Sequence, residues 1–204
     1  MSILALTSDT LSSPAAAGQI EYTSPIFAAT PIGTQRGIVP TQQYYRLDSA
    51  VVGSNATGAQ SLFGVGVTLS ASTVYEFEIV ATLLKTAGTT SHTFAIGFGG
   101  TATLNNIGFE VVFNTAATAT AAGVATYTSI SASSTVLTGA ITSAAQYITL
   151  IYKGTVSINA GGTFIPQYTL SAAPGGAYST QIGSYIRINP LSASGAATNV
   201  GTWA

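Results

Sequence analysis

"VYEFEIVATLLK", residues 74–85, decides how this chain is read. Tyr75, Phe77, Ile79, Ala81 and Leu83 fall on one side of a period-two repeat, and Glu76, Glu78, Val80 and Thr82 on the other. A helix would scatter both sets around its circumference, whereas a strand sends successive side chains to opposite faces. The same alternation groups Phe94, Ile96 and Phe98 in "TFAIGFGGTATL" (93–104), and Phe109, Val111 and Phe113 in "GFEVVF" (108–113). "YITLIYKGTVSI", "FIPQYTL" and "SYIRINPL" continue it. About eight such runs, rich in aromatic and β-branched residues, predict an all-β chain folded as a jelly-roll β-sandwich.

Turn chemistry separates the runs. Asn105-Asn106, Ala160-Gly161-Gly162 and Pro174-Gly175-Gly176 are predicted turns. The Ala/Thr/Ser tract from Thr115 to Ala145 predicts one or two plain strands with loops. Pro14, Pro25, Pro31 and Pro40 bias residues 1–43 toward extended geometry. The expected organisation is therefore an extended N-terminal arm over 1–43 and a jelly-roll β domain over 44–204.

Only 5% of residues are charged, against about 25% in ordinary soluble domains. The eleven are Asp9, Glu21, Arg36, Arg46, Asp48, Glu76, Glu78, Lys85, Glu110, Lys153 and Arg187. With 47% hydrophobic residues and a net charge of −1 the chain has the material for a core, and a near-neutral surface favours association. Scattered Lys and Arg give no footprint for nucleic acid or an anionic membrane, and no apolar run is long enough to span a bilayer. The absence of Cys removes disulfides, thiolate metal sites and a cysteine nucleophile. "MSILALTSDT" lacks a basic leader region, so synthesis and assembly in a cytoplasm are expected.

Three constellations invite chemical readings. Gly97-x-Gly99-x-x-Ala102 fits the glycine spacing of a dinucleotide-binding turn, but a β-rich stretch comes after it where a helix is needed, with no acid about twenty residues on. It reads as a strand whose glycines allow close packing or a corner. Glu76 and Glu78 share a strand face roughly 6.5–7 Å apart, within the range of glycosidase carboxylate pairs. Their plainer reading is an outer face paired with Arg or Lys on an adjacent strand. His92, the sole histidine, has no nucleophile elbow to serve and reads as a loop or strand-edge residue. No cofactor or metal is implied. Tyr44, Tyr45, Tyr178 and Trp203 are candidate surface contacts, as interface anchors or a sugar platform.

"AGQIEYTSPIFAATPIGTQRGIVPTQQYYRL" (17–47) resembles the entrance of a module common in bacteriophage virion proteins. That entrance has the form G-x-I/L-E-Y, a Thr-Pro, then R-G-x-x-P-x-x-Q before an aromatic strand. "SLFGVGVTLSASTVYEFEIVATL", "FAIGFGGTATL", "INAGGTFIPQYTLSAAPGGAYSTQIGSYIRINPL" and "VGTWA" extend the resemblance from about Gly18 to Ala204. It implies a trimeric, TNF-like jelly-roll module that ends a tail fibre or decorates a head. Fibre proteins of this kind carry a shaft before the module, and here about seventeen residues precede Gly18. The expectation is therefore a head decoration (cement) protein without enzymatic activity, a homotrimer bound to the major capsid protein or other virion proteins. Ile3, Leu4, Leu6 and Leu11 are the arm residues expected to dock. Host glycan recognition is the alternative if the protein is located in the tail.

Overall fold

The computed structural model describes residues 6–115, 123–129, 134–195 and 199–203. These residues form strands and no helix. In chain order the strands are β1 (Gln19–Thr23), β2 (Ile26–Ile32), β3 (Gln35–Val39), β4 (Gln43–Arg46), β5 (Val51–Val52), β6 (Gln60–Ser61), β7 (Val67–Leu69) and β8 (Thr73–Lys85). They continue with β9 (Phe94–Gly99), β10 (Thr103–Asn114), β11 (Gly123–Ser129), β12 (Thr135–Val136), β13 (Gln146–Ala160), β14 (Gly162–Leu170), β15 (Ser179–Thr180) and β16 (Tyr185–Ala193).

The pairing is a nested hairpin rolled into two sheets. β4 and β5 pair with β16 and β15, β6 and β7 with β14, β8 with β13, and β9 with β12, all antiparallel. Successive pairs alternate between the sheets, which is the jelly-roll connectivity. The larger sheet runs β11-β10-β13-β8, then β16 and β15 side by side along β8, then β4 and β5. The smaller runs β12-β9-β14, with β6 and β7 beyond. The β10–β11 hairpin is inserted between β9 and β12 and widens the large sheet at its far edge.

The alternation of residues 74–85 has its cause here. Tyr75, Phe77, Ile79, Ala81 and Leu83 are all buried between the sheets. There Phe98 of β9 stacks on Phe164 of β14 at 4.6 Å, and Phe77 meets Phe98 edge-on at 5.4 Å. Phe94 and Tyr168 stack at 5.3 Å further along. Each such ring contributes about 1.5–3 kcal/mol by leaving water. Gly97 and Gly99 lie in β9, and a Cβ at Gly99 would run into the Gln167 side chain. Gly100, at φ +111°, turns the corner after it. The glycine motif is thus a closely packed strand end. Asn105-Asn106 is not a turn: it lies inside β10, where the pairing with β13 slips by a residue, so the asparagines occupy a bulge.

The proline-spaced stretch before β4 is extended, and it pairs with itself. β1, β2 and β3 form a separate three-stranded antiparallel sheet. Its prolines sit where no ladder donor is needed: Pro25 in the turn before β2, Pro31 at a register shift, Pro40 just past β3. Ile26, Ala28 and Thr30 form its buried face, and β2 lies against β16. Arg36 binds Glu21 at 2.9 Å and the Ser12 carbonyl at 2.6 Å, tying the preceding residues to this sheet. The Ser12 hydroxyl and amide, with Arg36, hold the Glu21 carboxyl below its usual range.

Candidate functional site

The outer face of the large sheet gathers four of the chain's eleven charged residues into one row. Register places Glu110, Lys153, Glu78, Arg187 and Tyr44 side by side on β10, β13, β8, β16 and β4. Glu78 is its centre. Its Oε2 accepts from Lys153 Nζ at 2.8 Å and Arg187 Nη2 at 2.9 Å, and its Oε1 from the Tyr185 hydroxyl at 2.8 Å. Those donors, Lys153 foremost, outweigh desolvation and bring its carboxyl down to about 2. The bond to Glu78 raises the Tyr185 hydroxyl in turn. Glu76, two residues on, is exposed. A glycosidase pair needs one carboxyl that stays protonated to donate, and Glu78, held as the anion, is not suited to be that one. Glu78 is thus paired with Lys and Arg on adjacent strands and is more buried than a hydrated residue would be, while Glu76 is exposed beside it.

Beside this row lies a charge-poor patch, with Arg46 of β4 at its edge next to Tyr185. Val112, Ile151 and Val80 are neighbours across β10, β13 and β8, next to Tyr185. Beyond them come Thr149 and Thr82, then Tyr147, Leu84, Ser179 and Val52. Tyr147 and Ile151 are each 41% exposed, Val52 71%. An outward sheet face normally alternates to polar residues. This one does not.

A buried polar cluster closes one end of the sandwich. Lys85 is fully buried at the inner end of β8, and its ammonium donates to the carbonyls of Ala87, Gly88, Ser143 and Ala144 at 2.6–3.3 Å. It stands 6.0 Å from the centre of the Tyr178 ring. Burial lowers its pKa. The Tyr178 hydroxyl meets His92 Nε2 at 2.8 Å, and His92 Nδ1 meets the Thr90 carbonyl at 2.7 Å. A carbonyl only accepts, so Nδ1 carries the proton and Nε2 accepts from Tyr178. His92 is buried in an isolated bridge to Ile141. Tyr178, expected as a surface contact, is instead fully buried; burial and the neighbouring Tyr168 raise its pKa. Pro174-Gly175-Gly176 is a predicted turn, but the two residues after Tyr178 form β15 and draw the ring inward.

The other expected contacts are spread over three surfaces. Tyr44 is exposed and packs on Tyr185 at 5.6 Å, on the charged row. Tyr45 points to the opposite side, edge-on to Phe63, at the rim of a cleft of about 350 Å³. Val65, Val67, Pro166, Ile186 and Ile188 line this cleft, which opens between the two sheets. Trp203, 79% exposed, borders a second groove with Ile38, Val74 and Leu191. Leu6 is exposed and Leu11 half-buried, while Ile3 and Leu4 lie outside the described residues.

The small sheet differs on every count. β6, β7, β9, β12 and β14 contain no charged residue. Their outward row is Ala95, Gly97, Gly99, Thr163, Ile165, Gln167 and Thr169, small or uncharged polar side chains apart from Ile165. Among the described residues no group of His, Asp and Glu could hold a metal ion.

The class these features define is a jelly-roll β-sandwich protein whose distinctive surfaces are flat sheet faces. A scan against protein-family models, a search of curated proteins and a search of solved structures each return no match.

Proposed function

We propose that this chain is a structural protein of a bacteriophage virion, a head decoration (cement) protein without enzymatic activity. It binds and stabilises the capsid lattice as a homotrimer, assembled in the host cytoplasm. One observation carries this reading: the strands of the small sheet are free of charge on both faces. Such surfaces pack densely because few ions must be desolvated. The ordered resemblance of Gly18–Ala204 to phage virion modules supplies the setting. Quantitative mass spectrometry of purified particles tests it. A copy number near that of the major capsid protein is expected, and absence from the particle overturns the assignment.

A second reading, recognition of a host glycan from a tail position, has one feature in its favour. Pro40, Gln42, Glu76, Lys153, Arg187 and Asn189 line a polar cleft of about 270 Å³ near the exposed Tyr44. Aromatic rings beside amide and charged donors suit sugar hydroxyls. A handful of copies per particle would favour this reading over cement.

A further inference from the structure

We propose that residues 6–39 form a hinged module that swings off the large sheet as one piece, about residues 40–42. This movement does not depend on the virion reading. The module is complete in its own polar bonding. β1, β2 and β3 share no ladder with the jelly roll. Arg36, Glu21, Ser12 and Gln19 form one hydrogen-bonded network. The Asp9 amide donates to the Tyr22 carbonyl, and the Ser24 amide to the Ser8 hydroxyl. Among the described residues, no hydrogen bond or ion pair joins residues 6–39 to the jelly roll.

What holds the module down is apolar. Ile26 and Ala28 are buried where β2 lies against β16. Ile38, beside Ala28 in the ladder, faces Val74, Thr155, Leu191 and Ser192 across a groove of about 490 Å³. Packed interiors leave few voids larger than a water molecule, so this seam is only partly closed. Val200 and Trp203 border the groove too, and the Trp203 indole donates to the Val200 carbonyl without crossing the seam. An apolar contact is non-directional, and parting this one leaves no donor or acceptor stripped of its partner. Opening the jelly roll would instead break its ladders. The connection is equally permissive. Pro40, Thr41 and Gln42 are exposed, belong to no strand and make no hydrogen bond to any described residue. A few such loop residues suffice for a hinge. Opening uncovers Ile26, Ala28 and Ile38 on the module and the strip around Val74, Thr155 and Leu191 on the large sheet.

The chain contains no cysteine, so a single introduced thiol reports only its own site. Ala28→Cys and Ile26→Cys place it on the module's buried face, and Ala81→Cys places it in the jelly-roll core. Thiol labelling of the folded full chain should run at least about 100-fold faster at positions 26 and 28 than at 81, because local opening needs less free energy than global unfolding. Hydrogen exchange of the wild type supplies the second readout. A module that swings intact keeps its ladders, so the β2 amides should open more slowly than the thiols are uncovered. Thiols at 26 and 28 as protected as the one at 81 overturn the proposal. So do β2 amides that open at the thiols' rate, since the module would then be unravelling rather than swinging.

Discussion

The two sheets bury the same kind of side chain between them and turn different faces outward. The large sheet carries Glu76, Glu78, Glu110, Lys153 and Arg187 in and beside one row, flanked by Ile151, Val80 and Tyr147. The small sheet offers Thr163, Ile165, Gln167 and Thr169 over closely packed glycines, and no charge at all. The shared interior makes the fold; the outward rows distinguish its surfaces. A face with a neutralised ionic row can fix the register of a contact, since a shift would place like charges together. A face of short uncharged side chains can lie flat on any surface of similar polarity.

The largest effect is expected where the sheets meet. Phe98→Ala removes a ring that touches Phe77, Phe109, Tyr152 and Phe164. It should cost about 3–5 kcal/mol in denaturant unfolding and loosen both faces together.

Next comes the row itself. Glu78→Gln leaves Lys153 and Arg187 without their shared carboxylate and should cost about 2 kcal/mol at neutral pH. The folded carboxyl, near 2, lies below its unfolded value. Its stabilisation is therefore full above about pH 4.5 and lost as pH falls toward 2. Urea unfolding at pH 7 and pH 3 should show the wild type weakening more than the variant across that interval.

Smaller effects are expected inside. Tyr178→Phe takes the hydroxyl from His92 Nε2 and leaves a buried acceptor bare, costing about 1–2 kcal/mol in thermal unfolding. Tyr152→Phe should cost nothing or stabilise slightly, because the Tyr152 hydroxyl is buried without a hydrogen-bond partner. On the small sheet, Thr169→Glu should shift stability by no more than about 0.5 kcal/mol in urea unfolding. A cost there as large as that of Glu78→Gln would erase the difference between the faces.

The sandwich was legible because its signals are local. Period two in residues 74–85 names the buried set directly, and the β-rich residues 101–113 mark the glycines of 97–100 as part of a strand. Of the outward rows only the outward glutamates with an Arg or Lys partner on an adjacent strand were legible, borne out at Glu78; which residues partner it was not, because they come together only through pairing. Glu78 meets Lys153 and Arg187 across 75 and 109 residues of chain. Lys85 reads as a surface lysine until two loops close over it with their carbonyls. Tyr178 misled for the same reason, its glycine-rich flank concealing β15. Prolines announced extended backbone before β4 but not that it would fold on itself, since each sits at a turn or slip that leaves the ladder intact.

The most direct test of the central claim is this protein's copy number relative to the major capsid protein in purified particles, by quantitative mass spectrometry. If the charge-free strands of the small sheet pack against the head lattice, the two copy numbers come out close. A handful of copies per particle, or none, would contradict the account.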